Sequence, residues 1–137
     1  MDAQSSREPA PPAVTEASVK KDVPEVELFV MSYCPFGLQM QKGILPALKE
    51  LGSSVQFSMR YVSYIMHGKK EFDENIRQYC IAKEEPQKYA SYLGCFASSE
   101  EGDATGCGKN AKITESKIAS CVSATDKEFK LTEFQKS

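Results

Sequence analysis

The sequence has no tryptophan, a single histidine and no apolar run near the roughly 18 residues of a membrane-spanning helix. Its formal net charge of -2 gives no basis for expecting a nucleic acid or a charged membrane surface as partner. The first 20 residues contain no apolar stretch of the kind found in signal peptides. We therefore expect one globular domain with no membrane span and no nucleic-acid partner.

Several chemical motifs are also missing. There is no glycine-rich phosphate loop, no persuasive pair of catalytic carboxylates and no Ser/His/Asp set. The lone histidine, His67, lies in a loop, where a histidine is usually a solvated side chain rather than a catalyst. Three lysines either raise the electrostatic potential near a reactive group or form an ordinary solvated surface. They are Lys42, Lys69 and Lys70.

Cysteine, in contrast, is abundant, since the chain has five. The odd count fits two disulfides and one thiol left for chemistry, which implies an oxidising compartment. The alternative is five reduced, buried thiols that act as small hydrophobic residues. The later four cysteines are separated by 15, 12 and 14 positions, so none forms a Cys-x-x-Cys knuckle and we expect no metal site. These four candidates for structural disulfides are Cys80, Cys95, Cys107 and Cys121.

Four cysteines allow three pairings. The segment between Cys95 and Cys107 is short and loop-like, which favours Cys95–Cys107 with Cys80–Cys121 over the other two pairings.

Composition divides the chain into three parts. Residues 1–22 contain four alanines, three serines and no aromatic residue, together with Pro9, Pro11 and Pro12. They cannot bury enough surface to offset their ordering entropy, so we predict a disordered tail there. The folded domain is predicted over 23–126, and a charged, weakly patterned tail over 127–137.

The folded part begins with the pattern of a strand, a helix and a strand. Residues 26–31 are apolar with one charge, as in a buried strand, and residues 55–61 alternate apolar and polar side chains. Between them, apolar residues at helical spacing predict a helix that Pro46 kinks and Gly52 ends. A helix of about 16 residues between two strands favours a right-handed βαβ crossover with a parallel pair.

The next part is predicted to be a small helical insertion over about 68–123, stapled by the disulfides. One helix carries Phe72 and Cys80 on its apolar stripe, and Pro86 opens a second. Residues 98–112 are predicted to form a loop around Cys107, and Thr114 to cap a further short helix.

Cys34 lies where the first strand meets the first helix. Pro35 suits the first helical position, because its missing N–H would be unpaired there anyway. Cys34 is thereby held at a helix N-terminus, where unpaired N–H groups and the helix dipole favour the reactive thiolate. The alternative is that Cys34 has no role beyond the helix start. Tyr33 and Phe36 flank the thiol, and either shape its pocket or simply pack.

The first strand, Cys34-Pro35-Phe36-Gly37, the helix with Pro46 and the second strand resemble the first half of the thioredoxin fold. The helical block resembles the insertion of the DsbA-like branch, and the order of the later cysteines is similar to that of gamma-interferon-inducible lysosomal thiol reductases. The resemblance covers about residues 24–125 and implies thiol–disulfide exchange.

Two features differ from this family pattern. Gly37 stands where the family has its resolving cysteine. No proline follows Pro86, although the family has a cis-proline facing the active cysteine. The chain is therefore expected to be either a truncated piece or an unusual version of the fold.

The sequence thus predicts an α/β, thioredoxin-like protein that acts as a monothiol thiol–disulfide oxidoreductase or isomerase. The resemblance implies Cys34 as nucleophile, with Tyr33, Pro35, Phe36 and Gly37 shaping the site. We expect protein or peptide thiols and disulfides as partners, no bound cofactor, and a secretory, extracellular or periplasmic location. An external thiol such as glutathione, or a second thiol of the substrate, would release the mixed disulfide. The alternatives are a redox-inactive module that binds extended peptides, and a purely structural disulfide-stapled domain.

Overall fold

A parallel pair of strands joined by one helix forms the first half of the structure. The computed structural model describes residues 22–62 and 65–136. The elements of this half are β1, Glu25–Val30, α1, Pro35–Leu51, and β2, Gln56–Tyr61, with a 3₁₀ turn, Gly52–Ser54, before β2. The predicted βαβ unit and its parallel pairing are confirmed, and the strand bounds lie within one residue of those predicted.

Helix α1 has the start and stop that its sequence indicates. Pro35 occupies the first helical position, and the helix continues without a break past Pro46 to Leu51. Gly52 follows with a φ of 51°, a left-handed value that glycine adopts without steric cost, and its N–H donates to the carbonyl of Leu48. The 3₁₀ turn and Val55 then lead into β2.

The second half of the structure is helical. Its elements are α2, Lys69–Glu84, α3, Pro86–Ser98, α4, Ala104–Asn110, α5, Glu115–Phe129, and α6, Leu131–Lys136. The protein is therefore an α/β structure that is mostly helical, with a two-stranded parallel sheet among the described residues.

The core lies between these helices. Ile81, Tyr92 and Phe96 are completely buried there, and Ile118 is nearly so. Disulfides connect α2 to α5 through Cys80–Cys121 and α3 to α4 through Cys95–Cys107. Their Cα–Cα distances are 5.8 Å and 5.5 Å, within the usual range for a disulfide. These are the two pairs that the short segment between Cys95 and Cys107 favours.

Two segments differ from the sequence prediction. The predicted loop over 98–112 contains α4, because the carboxylate of Asp103 accepts a hydrogen bond from the N–H of Gly106 at 2.8 Å and caps the helix. The predicted charged tail over 127–137 is helical as far as Lys136. Asp126 accepts hydrogen bonds from both the N–H and the hydroxyl of Thr132, which starts α6 against the end of α5. The tail predicted over 1–22 lies, apart from Asp22, outside the described residues.

Thr114 does lie at the N-cap of α5, but its side chain makes no capping bond. Its N–H instead donates to the carboxylate of Glu85 at 3.0 Å. Within the described ranges, no helix combines the length and the apolar character needed to cross a membrane.

Candidate functional site

Cys34 lies at the junction of β1 and α1. Its N–H donates to the carbonyl of Met31 at 3.1 Å, and its own carbonyl accepts from the N–H of Leu38 at 2.9 Å. With a φ of -70° and a ψ of 121°, Cys34 is extended, and Pro35 begins the helix after it. Cys34 is therefore the N-cap residue of α1, and its side chain is partly exposed.

The turn that presents Cys34 is fixed from below by α2. The N–H of Ser32 donates to the side-chain carbonyl of Asn75 at 2.9 Å, and its hydroxyl donates to the backbone carbonyl of Glu71 at 3.2 Å. The N–H of Tyr33 donates to the Glu71 carboxylate at 3.2 Å. The residues immediately before Cys34 thus use α2, rather than solvent, to satisfy their backbone groups.

Glu71 also holds the loop before α2. Its carboxylate accepts from the N–H groups of Met66 and His67, at 3.0 Å and 3.3 Å, and lies 2.6 Å from Nδ1 of His67. Its side chain has no exposed surface, so the charge depends on these donors for its stabilisation. His67, predicted to be a solvated loop side chain, is instead one third exposed and paired with Glu71.

The sequence predicts no site role for Glu71 or Asn75. The two residues are four positions apart on a helix and so share one face, which is a detectable signal. A polar helix face is ordinarily solvated, however, and the sequence contains no sign that this one is buried beneath the Cys34 turn.

A groove opens beside Cys34, between β1 and the first turns of α1. It has a volume of about 330 Å³, and Cys34 and Gly37 are among its lining residues. Phe29, Phe36 and Met40 also line it and remain 64%, 78% and 55% exposed. These three side chains form an apolar rim around a partly exposed thiol.

Gly37 lies against the back of this turn. A Cβ built on Gly37 would be 3.7 Å from the Cβ of Cys34, 3.7 Å from that of Val30 and 3.4 Å from the carbonyl oxygen of Met31. These are ordinary contacts, so a side chain fits there. The first of the three distances is close to the usual Cβ–Cβ separation in a disulfide, about 3.8 Å.

Tyr33 and Phe36 have different environments although both flank the thiol. The ring of Tyr33 packs edge-on against Phe96 at 5.4 Å, and Lys70 Nζ lies 4.5 Å from its centre. Partial burial, followed by the nearby Glu74 carboxylate, raises the pKa of Tyr33. Phe36 is largely exposed, so it is the aromatic residue that is available to a partner.

The other predicted residues lie elsewhere. Lys69 is paired with Asp73 at 2.7 Å, and Lys42 is exposed on α1. All five cysteines are among the described residues, and Cys34 is the one outside a disulfide. Within the same ranges, no group of three or more His, Cys, Asp and Glu side chains is arranged to hold a metal ion.

Comparison with protein-family models gave no match, and neither curated proteins nor solved structures gave one. Function is therefore inferred from the geometry around Cys34.

Proposed function

We propose that this protein is a thiol–disulfide oxidoreductase or isomerase of monothiol type, built on a thioredoxin-like βαβ unit, with Cys34 as its nucleophile. The observation that carries the proposal is that the free cysteine is the N-cap residue of α1 and opens into an apolar groove, whereas the other four are paired. A helix N-terminus favours the thiolate form of a cysteine, and the thiolate is the form that attacks disulfides.

The reaction is an exchange of sulfur partners. The Cys34 thiolate attacks one sulfur of a substrate disulfide, the substrate S–S bond breaks, and the other sulfur leaves as a thiolate. A mixed disulfide then joins Cys34 to the substrate. Gly37 offers no second thiol, so an external thiol such as glutathione, or another thiol of the substrate, attacks the substrate sulfur of the mixed disulfide. The bond to Cys34 breaks, a new disulfide forms between the attacking thiol and that sulfur, and Cys34 returns as a thiol.

The same features support the proposed surroundings of the protein. Two disulfides and one free thiol fit an oxidising compartment such as the secretory lumen, the extracellular space or the periplasm. The exposed rim of Phe29, Phe36 and Met40 fits protein or peptide substrates.

A second candidate function is supported by the same rim. A redox-inactive module that binds extended peptides would use Phe29 and Phe36 as contacts and would leave Cys34 unused. The two functions differ in whether Cys34 exchanges with a disulfide.

The proposal is tested by labelling the free thiol and then measuring its exchange with a disulfide. Thiol counting on protein from an oxidising compartment is expected to find one thiol per chain, and mass mapping to place iodoacetamide on Cys34. The protein should then form a mixed disulfide with 2-hydroxyethyl disulfide, and Cys34→Ser should not. Labelling at another cysteine would show that the site is wrong. An accessible Cys34 that does not exchange would favour the binding module.

A further inference from the structure

The two disulfides differ in their exposure to solvent. Cys80 and Cys121 are both buried, with 0% and 7% of their surface exposed. In the second disulfide Cys107 is completely buried, but Cys95 is partly exposed on α3. The rate at which a thiol exchanges with a disulfide depends on access to the sulfur that it attacks. Cys95 therefore carries the disulfide sulfur that a reducing thiol reaches most readily.

A hydrogen-bond donor lies beside that sulfur. The side-chain nitrogen of Asn110, an exposed residue at the end of α4, donates to Cys95 Sγ at 3.8 Å. An N–H donor stabilises a thiolate more than it stabilises a disulfide sulfur, because the thiolate carries a full negative charge. Asn110 is thus placed to stabilise the thiolate that Cys95 becomes when the disulfide is reduced.

The same disulfide closes a loop that packs on Tyr33. Residues 99–103 connect α3 to α4, the two helices that this disulfide links. In this loop Gly102 has a φ of 76°, and a Cβ built on it would lie 2.6 Å from Phe96 Cζ and 3.0 Å from Tyr33 Cε1. The backbone of the loop therefore lies directly against both rings, a fit that a side chain would prevent.

The position of α4 depends on its tertiary contacts. It has seven residues, fewer than an isolated helix needs to be stable in water. Besides the disulfide, its contacts include the Asp103 cap and a hydrogen bond of 3.5 Å from the Arg77 guanidinium to the carbonyl of Ala104. The disulfide is the covalent one of these attachments. Opening it should therefore loosen both α4 and the loop that leads to it.

Tyr33 connects the loop to the reactive thiol, since it directly precedes Cys34 in the turn. Its N–H donates to Glu71 at 3.2 Å, and its ring packs against Phe96 and Gly102. When the loop moves away, the ring loses packing on one side and Tyr33 is held less firmly. Cys34 is then held less firmly at the N-cap of α1, where the helix terminus favours its thiolate.

We propose that the Cys95–Cys107 disulfide is a redox switch, which a dithiol opens by attack on Cys95 and which slows exchange at Cys34 when it is open. The proposal rests on the proposed function and adds regulation of the same site. It distinguishes this disulfide from Cys80–Cys121, which stays closed and keeps α2 fastened to α5.

The opening reaction has two steps. In the first, a thiolate of the dithiol attacks Cys95 Sγ, the bond to Cys107 breaks, and Cys107 leaves as a thiolate that takes up a proton. In the second, the other thiol of the dithiol attacks the dithiol sulfur of the mixed disulfide, and Cys95 leaves as a thiolate. The dithiol is thereby oxidised to a disulfide, and the two protein cysteines are reduced.

The order of opening is tested on the intact protein with a limiting amount of dithiothreitol. Samples are quenched with acid at successive times and labelled with N-ethylmaleimide in denaturant, and mass mapping locates the free thiols. Cys95 and Cys107 should be freed about tenfold or more faster than Cys80 and Cys121, because attack requires access to a sulfur.

The effect on Cys34 is measured on protein in which the Cys95–Cys107 disulfide alone has been opened. After removal of the dithiol, the protein is treated with iodoacetamide, and mass mapping follows the adduct on Cys34 separately from those on other thiols. Labelling of Cys34 should be about threefold slower than in protein with both disulfides closed, which is the size of effect expected from a weakened helix-terminus interaction.

A matched pair of glycine variants tests the contact with Tyr33 while both disulfides stay closed. Gly102→Ala places a methyl group 2.6 Å from Phe96 Cζ, so the loop must move, and labelling of Cys34 should slow about threefold as in the opened protein. Gly52→Ala is the control. Gly52 also has a positive φ, of 51°, but its added Cβ would meet no atom within 4 Å. This variant should label Cys34 at the wild-type rate.

The outcomes separate this inference from the function on which it rests. If Cys80–Cys121 opened first, or if both disulfides opened at the same rate, the inference would be overturned while exchange at Cys34 stands. Labelling of Cys34 that is as fast in the opened protein, or in Gly102→Ala, as in the wild type would equally overturn it. Failure of Cys34 to exchange with 2-hydroxyethyl disulfide when both disulfides are closed would instead remove the proposed function, and its regulation with it.

Discussion

The two halves of the molecule differ in how much of their apolar surface they bury: apart from Val30, the buried apolar side chains among the described residues lie in the helical half. The helical half buries Ile81, Tyr92 and Phe96 completely and fastens its helices with two disulfides. The βαβ half leaves Phe29 and Phe36 mostly exposed beside a free thiol. We therefore expect the helical half to supply most of the stability, whereas the βαβ half keeps the Cys34 thiol accessible.

The two halves meet beneath the Cys34 turn, where α2 contributes Glu71 and Asn75. The helical half therefore fixes the shape of this turn, although the thiol itself belongs to the βαβ half. Removing the donors of a buried carboxylate that accepts several N–H hydrogen bonds costs free energy. The position of Cys34 should therefore depend strongly on α2 remaining folded and packed.

The largest expected effect is loss of the disulfide between α2 and α5. Replacing Cys80 and Cys121 with alanine should lower the free energy of unfolding by about 2–5 kcal/mol. The same change at Cys95 and Cys107 should cost about 1 kcal/mol less, because those residues are 12 positions apart rather than 41. Chemical denaturation measures both, with Cys34→Ser as the control, which should stay within about 0.5 kcal/mol of wild type. If Cys34→Ser lost more unfolding free energy than either double variant, the βαβ half rather than the helical half would supply most of the stability.

The second prediction concerns a thiol introduced into the βαβ half. Gly37→Cys places a Cβ 3.7 Å from that of Cys34 without a clash, so the two thiols can form a disulfide. In a single turnover without glutathione, the reduced Gly37→Cys protein should free the insulin chain held on Cys34 about tenfold or more faster than wild type does. The new thiol attacks the Cys34 sulfur of the mixed disulfide, the chain leaves as a thiolate, and the protein's own two thiols are oxidised to a disulfide. Gly43→Cys is the control on the same helix, since its Cβ meets no other atom within 4 Å, and it should match wild type.

Net insulin reduction by the wild type without glutathione would contradict the monothiol mechanism. Release by another substrate thiol only re-forms a substrate disulfide, so net reduction would require a second cysteine of the protein to release the substrate. Inactivity of both proteins, with and without glutathione, would favour the peptide-binding module.

Local signals explain how much of this architecture the sequence predicts. The βαβ unit follows from short-range patterns, which are an apolar run, Pro35 at a helix start and Gly52 at its end. Helix α4 is not predicted, because its glycines are typical of a loop. The Asp103 cap, the Cys95–Cys107 disulfide and the burial of Cys107 stabilise it. One part of the site is predictable from local sequence signals, and the other part is not. Cys34 is marked by its neighbours in sequence, whereas Glu71 acts from 37 positions away, and its burial depends on how α2 packs.

A third, smaller effect concerns the interior of α1. Gln41 is completely buried, and neither its side-chain nitrogen nor its oxygen has a hydrogen-bond partner among the described residues. Replacing it with methionine, which has a similar shape, should raise the free energy of unfolding by about 1 kcal/mol. Gln39→Met on the exposed side of the same helix should have little effect. Destabilisation by Gln41→Met would show that the amide has a partner, such as a bound water.

The smallest effect is a pH dependence in the helical half. Glu85 accepts a hydrogen bond from the N–H of Thr114 at the start of α5 and another from Lys88, and its interactions with these two residues lower its pKa to about 2. A carboxyl whose pKa is lower in the folded state stabilises the fold above its unfolded pKa, here 4.5, and loses that contribution as pH falls toward about 2. Glu85→Gln should therefore lower the melting temperature near neutral pH, and the difference from wild type should shrink steadily below pH 4.5. Glu100→Gln, at an exposed position, is the control and should show no such convergence. A difference that persists unchanged at low pH would mean that Glu85 acts through its shape rather than its charge, so that α5 begins where it does because of packing alone.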